Sequence, residues 1–227
     1  VSLPEGRWLP LSPPALLTFR EEAMKILNLY AGIGGNRKLW GNNHEVTSVE
    51  YEPAIAAIYG DLFPNDTLVV GDAHDYLLKH HHEFDLIWSS PPCQSHSSFR
   101  YNIGVRFRGV EEKFPDMTLY EEILFLKHHS KALWIVENVV PYYGAMLDPV
   151  KRNRHLYWSN FELPEVPKTE EKVRSMNKIS QLEELHGFDL SKYSLPNKRQ
   201  VLRNVVDPTV GQLFLEAATR RGTHGEA

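Results

Sequence analysis

Five short apolar runs, each leading into a chemically distinctive group, set the limits on how this chain can fold. They are Ile26–Tyr30, Val46–Val49, Thr67–Val70, Phe84–Trp88 and Ala132–Val136, separated by stretches long enough for helices. Such alternation predicts an α/β fold, a mostly parallel, doubly wound sheet covered by helices. The first run leads into Gly32, Gly34 and Gly35, the second into Glu50, the third into Asp72, the fourth into Cys93 and the fifth into Glu137. In an open doubly wound sheet the ligand crevice lies outside the carboxyl ends of the strands. All five groups are therefore expected to converge on one crevice.

Apolar runs such as Ile123–Leu126 are far below the roughly 20 residues needed to span a bilayer, so no membrane segment is expected. A net charge of −4 excludes a protein that coats nucleic acid by bulk electrostatics. It leaves room for local basic patches, one at Arg100, Arg106 and Arg108, another at Lys198, Arg199 and Arg203. The single cysteine cannot form an intrachain disulfide and no secretory leader is visible, so an intracellular location is expected, cytoplasmic or nucleoid-associated in a prokaryote or phage. His80, His81 and His82 are consecutive and do not face one point on a helix, so no metal is expected.

Residues 1–23 hold four prolines and no steady period, and Met24 reads as the natural start. They are expected to be an extension outside the core. Residues 24–159 read as the catalytic core, 160–198 as a short, polar, irregular segment, and 199–227 as a closing segment returning to the core. RNRHLYWSN reads as one strand with a basic lead-in, and Val210, Leu213, Phe214 and Ala217 share one face of a helix over 208–220.

Small residues fill the turn Tyr30, Ala31, Gly32, Ile33, Gly34 and Gly35, where the backbone can approach a ligand closely. The third glycine of a dinucleotide fingerprint is replaced by Arg37, which weakens a nicotinamide reading. Glu50, followed by Tyr51, stands where an acid accepts hydrogen bonds from ribose hydroxyls. Asp72, followed by Ala73, stands where a carboxylate can meet an adenine amine. An adenosine ligand fits this set.

Cys93 lies in SSPPCQSHS, where paired prolines stiffen the exit from the fourth strand and can aim the sulfur into the crevice. PPCQ after a strand, preceded by the AGIGG turn and followed by Glu137-Asn138-Val139, resembles the DNA cytosine-5 methyltransferases in motif content and order. Arg152 and Arg154 in RNRHLYW look like that family's paired-arginine strand, and NVVDP at Asn204–Pro208 resembles its closing motif. The resemblance covers nearly all of Met24–Ala218.

It implies a Rossmann-like S-adenosylmethionine-dependent methyltransferase fold, with Cys93, Glu137, Arg154 and Arg152 catalytic. Pro91, Asn204 and Val206 would join the glycine turn, Glu50, Tyr51, Asp72 and Ala73 around S-adenosylmethionine or its demethylated product. Gln94, Ser95, Ser97, Arg100, Arg106 and Asn138 would contact the substrate, a cytosine rotated out of DNA. A tRNA substrate, known in one branch of the family, is the alternative, as is a catalytically silent subunit. The interval 160–198 is much shorter than the usual target-recognition region. Recognition is thus expected to be minimal, shape-based, or completed by a partner chain or self-association. Asn28 replaces a common acid, Tyr30 a usual Phe, and the polar SHS after PPCQ a more apolar continuation.

Overall fold

The structure, a computed structural model, describes residues 23–168 and 178–222. The expectation for residues 1–22 and parts of those for 160–198 and 199–227 lie outside the described residues. Strands form at the five apolar runs: β1 (Lys25–Leu29), β2 (Glu45–Glu50), β3 (Thr67–Val70), β4 (Leu86–Ser89) and β5 (Leu133–Val139). β5 continues through Glu137 and Asn138, so these residues sit inside the strand end instead of after it.

The RNRHLYW stretch is a hairpin and not the single strand its sequence suggests. β6 (Val150–Arg152) and β7 (His155–Ser159) pair antiparallel, and Asn153 reverses the chain at φ 51°. Asn tolerates this left-handed conformation better than most residues, which places the turn there.

The seven strands are ordered β3-β2-β1-β4-β5-β7-β6, with β1 to β5 parallel and the last hairpin antiparallel. The order reverses between β1 and β4, which is where a doubly wound sheet opens a crevice. Register brings the strand ends level: Leu29 pairs with Val49 and Ser89, and Ser89 pairs with Val136. This is a Rossmann-like, doubly wound α/β sheet with an antiparallel hairpin at one edge.

The sheet is covered on both faces, so β1 and β4 read as nearly continuous apolar runs. Alternate residues divide between the layers. Leu27, Leu29, Ile87 and Val136 pack with Leu77 of α2 (Ala73–His80) and Ile123 of α4 (Thr118–His129). Ile26, Leu86, Trp88 and Ile135 face the opposite layer, with Val210 and Phe214 of α7 (Pro208–Gly222). α1 (Pro53–Leu62) opens on proline, whose missing N–H is not needed in the first turn. α3 (Arg106–Arg108) is one turn after a π-helical segment, Arg100–Val105.

The segment expected to be irregular contains α5 (Ile179–His186) and leads into α6 (Lys198–Arg203). Leu182, Phe188, Leu190 and Leu202 bury themselves against Ile33 of the glycine turn and Ile58 of α1. Too short for its own core, it completes that of the sheet domain.

α7 meets the start of the chain's first helical turn backbone to backbone. A Cβ on Gly211 would fall 2.1 Å from the Asn36 carbonyl oxygen, and Trp40 Nε1 donates to the Gly211 carbonyl at 3.0 Å. Helix propensity alone makes Gly211→Ala stabilising by about 1 kcal/mol, whereas this contact makes it destabilising by about 1 to 3 kcal/mol. Thermal denaturation is expected to show a lower Tm; a higher one would remove the close approach.

Candidate active site

The first four strand ends are tied by buried polar groups. The Glu122 carboxylate on α4 is wholly buried. It accepts from Tyr30 Oη at 2.6 Å, from Ser89 Oγ at 2.7 Å, and lies 3.2 Å from His74 Nδ1. Through these contacts it joins the turn after β1, the end of β4 and α2. The carboxylate also raises the His74 pKa, chiefly through that hydrogen bond. A second chain runs from Asn36 Nδ2 to Asn28 Oδ1, from Asn28 Nδ2 to Ser48 Oγ, and on through Tyr59 Oη to Asp66. Arg37 closes it with two 2.8 Å bonds to Asp66. The arginine in the third-glycine position is therefore a buried clamp, and Asn28 serves as a neutral link in a hydrogen-bonded core.

The glycine turn faces the crevice. A Cβ on Gly32 would meet nothing within 4 Å, while one on Gly35 would fall 2.4 Å from the Val206 carbonyl oxygen. The closing segment thus packs directly on the turn, through Val205 and Val206. Ala31 donates its N–H to Val49, and Ile33 is buried, so both can offer only backbone to a ligand. Glu50 accepts from the N–H groups of Gly32 at 2.8 Å and Glu52 at 2.9 Å. A carboxylate has about four acceptor sites, so capacity remains for hydroxyl donors. Beside it Tyr51 and Val70 are exposed. Asp72 caps α2, accepting from the Asp75 N–H at 2.9 Å, and Ala73 packs into the core.

Cys93 is half-buried after the two prolines. Burial pushes its thiol up to about 11, and the Glu137 charge adds to this; its own backbone N–H and Arg154 oppose it. Glu137 is buried, and that burial raises its carboxyl to about 7 against a hydrogen bond from Ser90 and the charge of Arg154. His155 Nε2 lies 3.5 Å from Glu137 Oε1. Its imidazole is neutral, since burial first and Arg154 second push its pKa down to about 3.

Asn138, expected at the substrate, has protein partners in the structure. Its side chain is buried, with Nδ2 donating to the Pro91 carbonyl at 3.0 Å and Oδ1 accepting from the Val139 N–H. It locks the Pro-Pro-Cys exit to β5. Pro91 is buried through the same bond.

Arg152, expected to be catalytic beside Arg154, has protein partners too. Its guanidinium donates to the carbonyls of Pro164 at 2.8 Å and Leu163 at 2.9 Å and pairs with Glu165 at 3.2 Å. It straps the chain after β7, while Arg154, in the hairpin turn, donates to the Arg203 carbonyl at 3.4 Å and its charge lowers the pKa of both Cys93 and Glu137. The two arginines alternate along the chain and point to different partners.

The SHS segment is zipped to the strand end after ENV. Ser97 bridges Pro141, Tyr142 donates its N–H to the His96 carbonyl, and His96 is buried with its Nδ1 hydrogen-bonded to Tyr143 Oη. The polar histidine is thus a core residue here. Ser95 Oγ accepts from the Asp116 N–H and Ser97 Oγ from the Arg100 N–H, so both hydroxyls shape the loop. Gln94 is exposed. Arg100 binds the Glu111 carbonyl at 2.6 Å, and Arg106 sits over the Tyr101 ring at 5.2 Å. Asn204 is exposed, with its Oδ1 accepting from Gln200.

Residues 24–141 match the family described as C-5 cytosine-specific DNA methylase, a span holding the glycine turn, Glu50, Asp72, Cys93 and Glu137. The chain belongs to this family. Among solved structures, the methylase is similar to a mutant DNMT2 from Spodoptera frugiperda, 24% identical over 52% of this chain and 36% of that one, with a TM-score of 0.37. It spans about a third of that protein. It is also similar to the Entamoeba histolytica methyltransferase EhMeth (10% identity, 88% and 99% coverage, TM-score 0.49). The putative methyltransferase yhhF from Escherichia coli matches at 16% identity, 59% and 72% coverage, and a TM-score of 0.38. A comparison with curated proteins gave no match.

S-adenosylmethionine is the cofactor of this methylase family, and the residues present fit it. The open face at Gly32, the spare acceptor sites of Glu50, and the exposed Tyr51 and Val70 surfaces together offer a hydroxyl-binding carboxylate and apolar walls. Among the described residues no group of His, Cys, Asp or Glu side chains could hold a metal ion, and no helix is long and apolar enough to cross a membrane.

The sequence reading passed over Glu122, Ser90 and His155. Only Glu122 carried a signal: a lone acid among Leu119, Ile123 and Leu126 on the apolar face of a helix.

Because the folded pKa of Glu137 lies above its ordinary 4.5, its contribution to stability is lost as pH rises from about 4.5 to 7. In that window the unfolded chain releases the proton first. The loss reaches at most about 3 kcal/mol. Glu137→Gln lacks this titration. Urea melts from pH 4.5 to 8 are expected to show the variant gaining on the wild type as pH rises, and a pH-independent difference would contradict the shift.

Proposed function

We propose that this methylase transfers a methyl group from S-adenosylmethionine to C5 of a cytosine in DNA, through a covalent bond between Cys93 and C6. The observation that carries the reading is the grouping of Cys93, Glu137 and Arg154 at strand ends level with the glycine turn: Glu137 and Arg154 both act on the Cys93 thiol, and Arg154 acts on the Glu137 carboxyl.

C5 of cytosine is a poor nucleophile until the ring gains electrons. Cys93 as thiolate adds to C6 while protonated Glu137 gives its proton to N3, leaving a neutral enamine. The same protonation state of Glu137 serves both events. An ionised carboxylate raises the Cys93 thiol, whereas the neutral acid removes that opposition and is the proton donor the ring needs. Arg154 supports the thiolate and the O2 edge. S-adenosylmethionine supplies an electrophilic methyl group. The enamine C5 takes that methyl, a base such as water removes the C5 proton, and Cys93 leaves as N3 returns its proton to Glu137. Asn138 and the two prolines hold the sulfur in place during both bond changes.

C5 and C6 are inaccessible in a stacked duplex, so the base must be extruded. Arg106 and Arg108, exposed on α3 in the segment that follows Cys93, would meet phosphate. A tRNA substrate is the second reading. It rests on the shortness of the 160–198 interval, in which Leu182, Phe188 and Leu190 are buried against the core and are not available to read a groove, so recognition by shape would suit it. Recognition completed by a second chain follows from the same observation.

Duplex DNA and tRNA carrying 5-fluorocytosine separate these readings, because the fluorine cannot leave and the adduct persists. A denaturation-resistant adduct with DNA is expected, lost in Cys93→Ser; an adduct with tRNA alone selects the second reading, and none with either overturns the covalent step. Glu50→Ala is expected to weaken S-adenosylmethionine by about 1.5 to 3 kcal/mol, roughly 10- to 150-fold. Calorimetry showing unchanged affinity would remove Glu50 from the cofactor site.

A further inference from the structure

Glu137 is buried in β5, and a histidine of the neighbouring strand reaches it. In the β5–β7 pairing Glu137 sits opposite Tyr157, which makes His155 its diagonal neighbour on the same face. The 3.5 Å contact between His155 Nε2 and Glu137 Oε1 follows from that register. Behind His155 lies a cavity of about 40 Å³ between the β6–β7 hairpin, α5 and the start of α7. Its walls include Arg152, Arg154, His155, His186 and Asp207. About 10 to 15 Å³ suffices for a water, provided polar partners surround it. His186 Nε2 is buried with no hydrogen-bond partner among the described residues, so the cavity wall carries a polar atom without a protein partner.

We propose that His155 is a positioning residue that sets the protonation of Glu137, as the inner end of a proton path through this cavity to His186 and Asp207. The inference rests on Glu137 acting as the acid described above. With a base seated in the crevice, Glu137 has no front access to solvent, yet only its protonated form starts the reaction. A proton delivered from the cavity to one nitrogen of His155 releases the Nε2 proton to Glu137. The ring ends as its other tautomer, uncharged, and the reverse transfer resets it. No reagent beyond water is required.

The surrounding charges agree with a neutral carrier. Arg154 faces His155 from the hairpin turn and Arg152 lines the cavity, while Tyr157 and Glu137 face it within the sheet. Across the cavity, burial, Arg154 and Lys38 hold the His186 pKa down to about 4, with Asp207 opposing them. The Lys38 ammonium is anchored on the His186 and Gly187 carbonyls. Both imidazoles are thus neutral near pH 7 and able to accept a proton on one nitrogen while releasing one from the other.

The test uses the full chain with two substitutions. Glutamine can hydrogen-bond Glu137 but cannot pass a proton, and phenylalanine can do neither. The Glu137 carboxyl is followed by carbon-13 NMR, with its resonance assigned by its loss in Glu137→Gln. His155→Phe is expected to move the Glu137 titration by about one pH unit, and His155→Gln to leave it nearly in place. In methyl transfer, His155→Gln is expected to lower kcat about 10-fold at pH 8, where most Glu137 meets the base ionised, and little at pH 6, with little change in KM. Imidazole added to His155→Gly is expected to restore the rate, which a purely structural role would not allow. An unmoved Glu137 titration in His155→Phe overturns the proposal, as does an undiminished kcat in His155→Gln at pH 8 or a loss that imidazole does not rescue. A wild-type protein that methylates no nucleic acid sinks the functional reading instead, and the NMR arm then decides the role of His155 by itself.

Discussion

A carboxylate buried without exposure is costly unless every lone pair that faces protein is used, and Glu122 meets that condition at the point where the sheet opens. Tyr30, Ser89 and His74 all bring a polar atom to it. Tyr30 begins the glycine turn in a left-handed conformation, and Ser89 is the last residue of β4 before Ser90 and the paired prolines. One side chain on α4 therefore fixes both the turn that faces the cofactor crevice and the exit that carries Cys93. The two halves of the site are set relative to each other by a shared acceptor at their centre.

The two acids around the site show how environment divides one chemistry into two roles. Glu122 is surrounded by donors and serves as a fixed anchor. Glu137 is buried, and a hydrogen bond from Ser90 and the charge of Arg154 do not offset that burial, so its carboxyl is held up to about 7, where it can carry a proton or release it. Cys93 is tuned by the same pair in opposite senses, raised by Glu137 and lowered by Arg154. Nucleophile and acid are thus coupled through geometry that places β5, the hairpin turn and the Pro-Pro-Cys exit at one level of the sheet.

Strand positions and their common edge were legible in the sequence, because buried parallel strands must be apolar throughout and ligand-facing groups must follow them. The roles of particular polar residues were less so. Asn138 and Arg152 stand in the right motifs, yet their side chains are bound to the carbonyls of Pro91 and of Leu163 and Pro164. Whether a polar side chain meets a ligand or a backbone carbonyl depends on strand register and on hairpin geometry, neither of which a motif records. The hairpin itself was read as one strand, since its two-residue turn is flanked by strand-like residues on both sides. The segment 160–198 looked irregular because its apolar residues are sparse, but Leu182, Phe188 and Leu190 find partners in Ile33 and Ile58 far away in sequence.

Local pattern by itself determined the alternating architecture, the glycine turn, the acids at the ends of β2 and β3, and a cysteine held by two prolines. These follow from short-range rules: apolar periodicity, backbone room at glycine, and the stiffness of proline. Only the tertiary structure decided that Glu137 is shielded enough to hold a proton, that the charge of Arg154 and not of Arg152 acts on the thiol, and that His155 stands between the acid and a small cavity. Each of these is a matter of dielectric surroundings and of which strands lie side by side, and both are set by residues tens of positions apart.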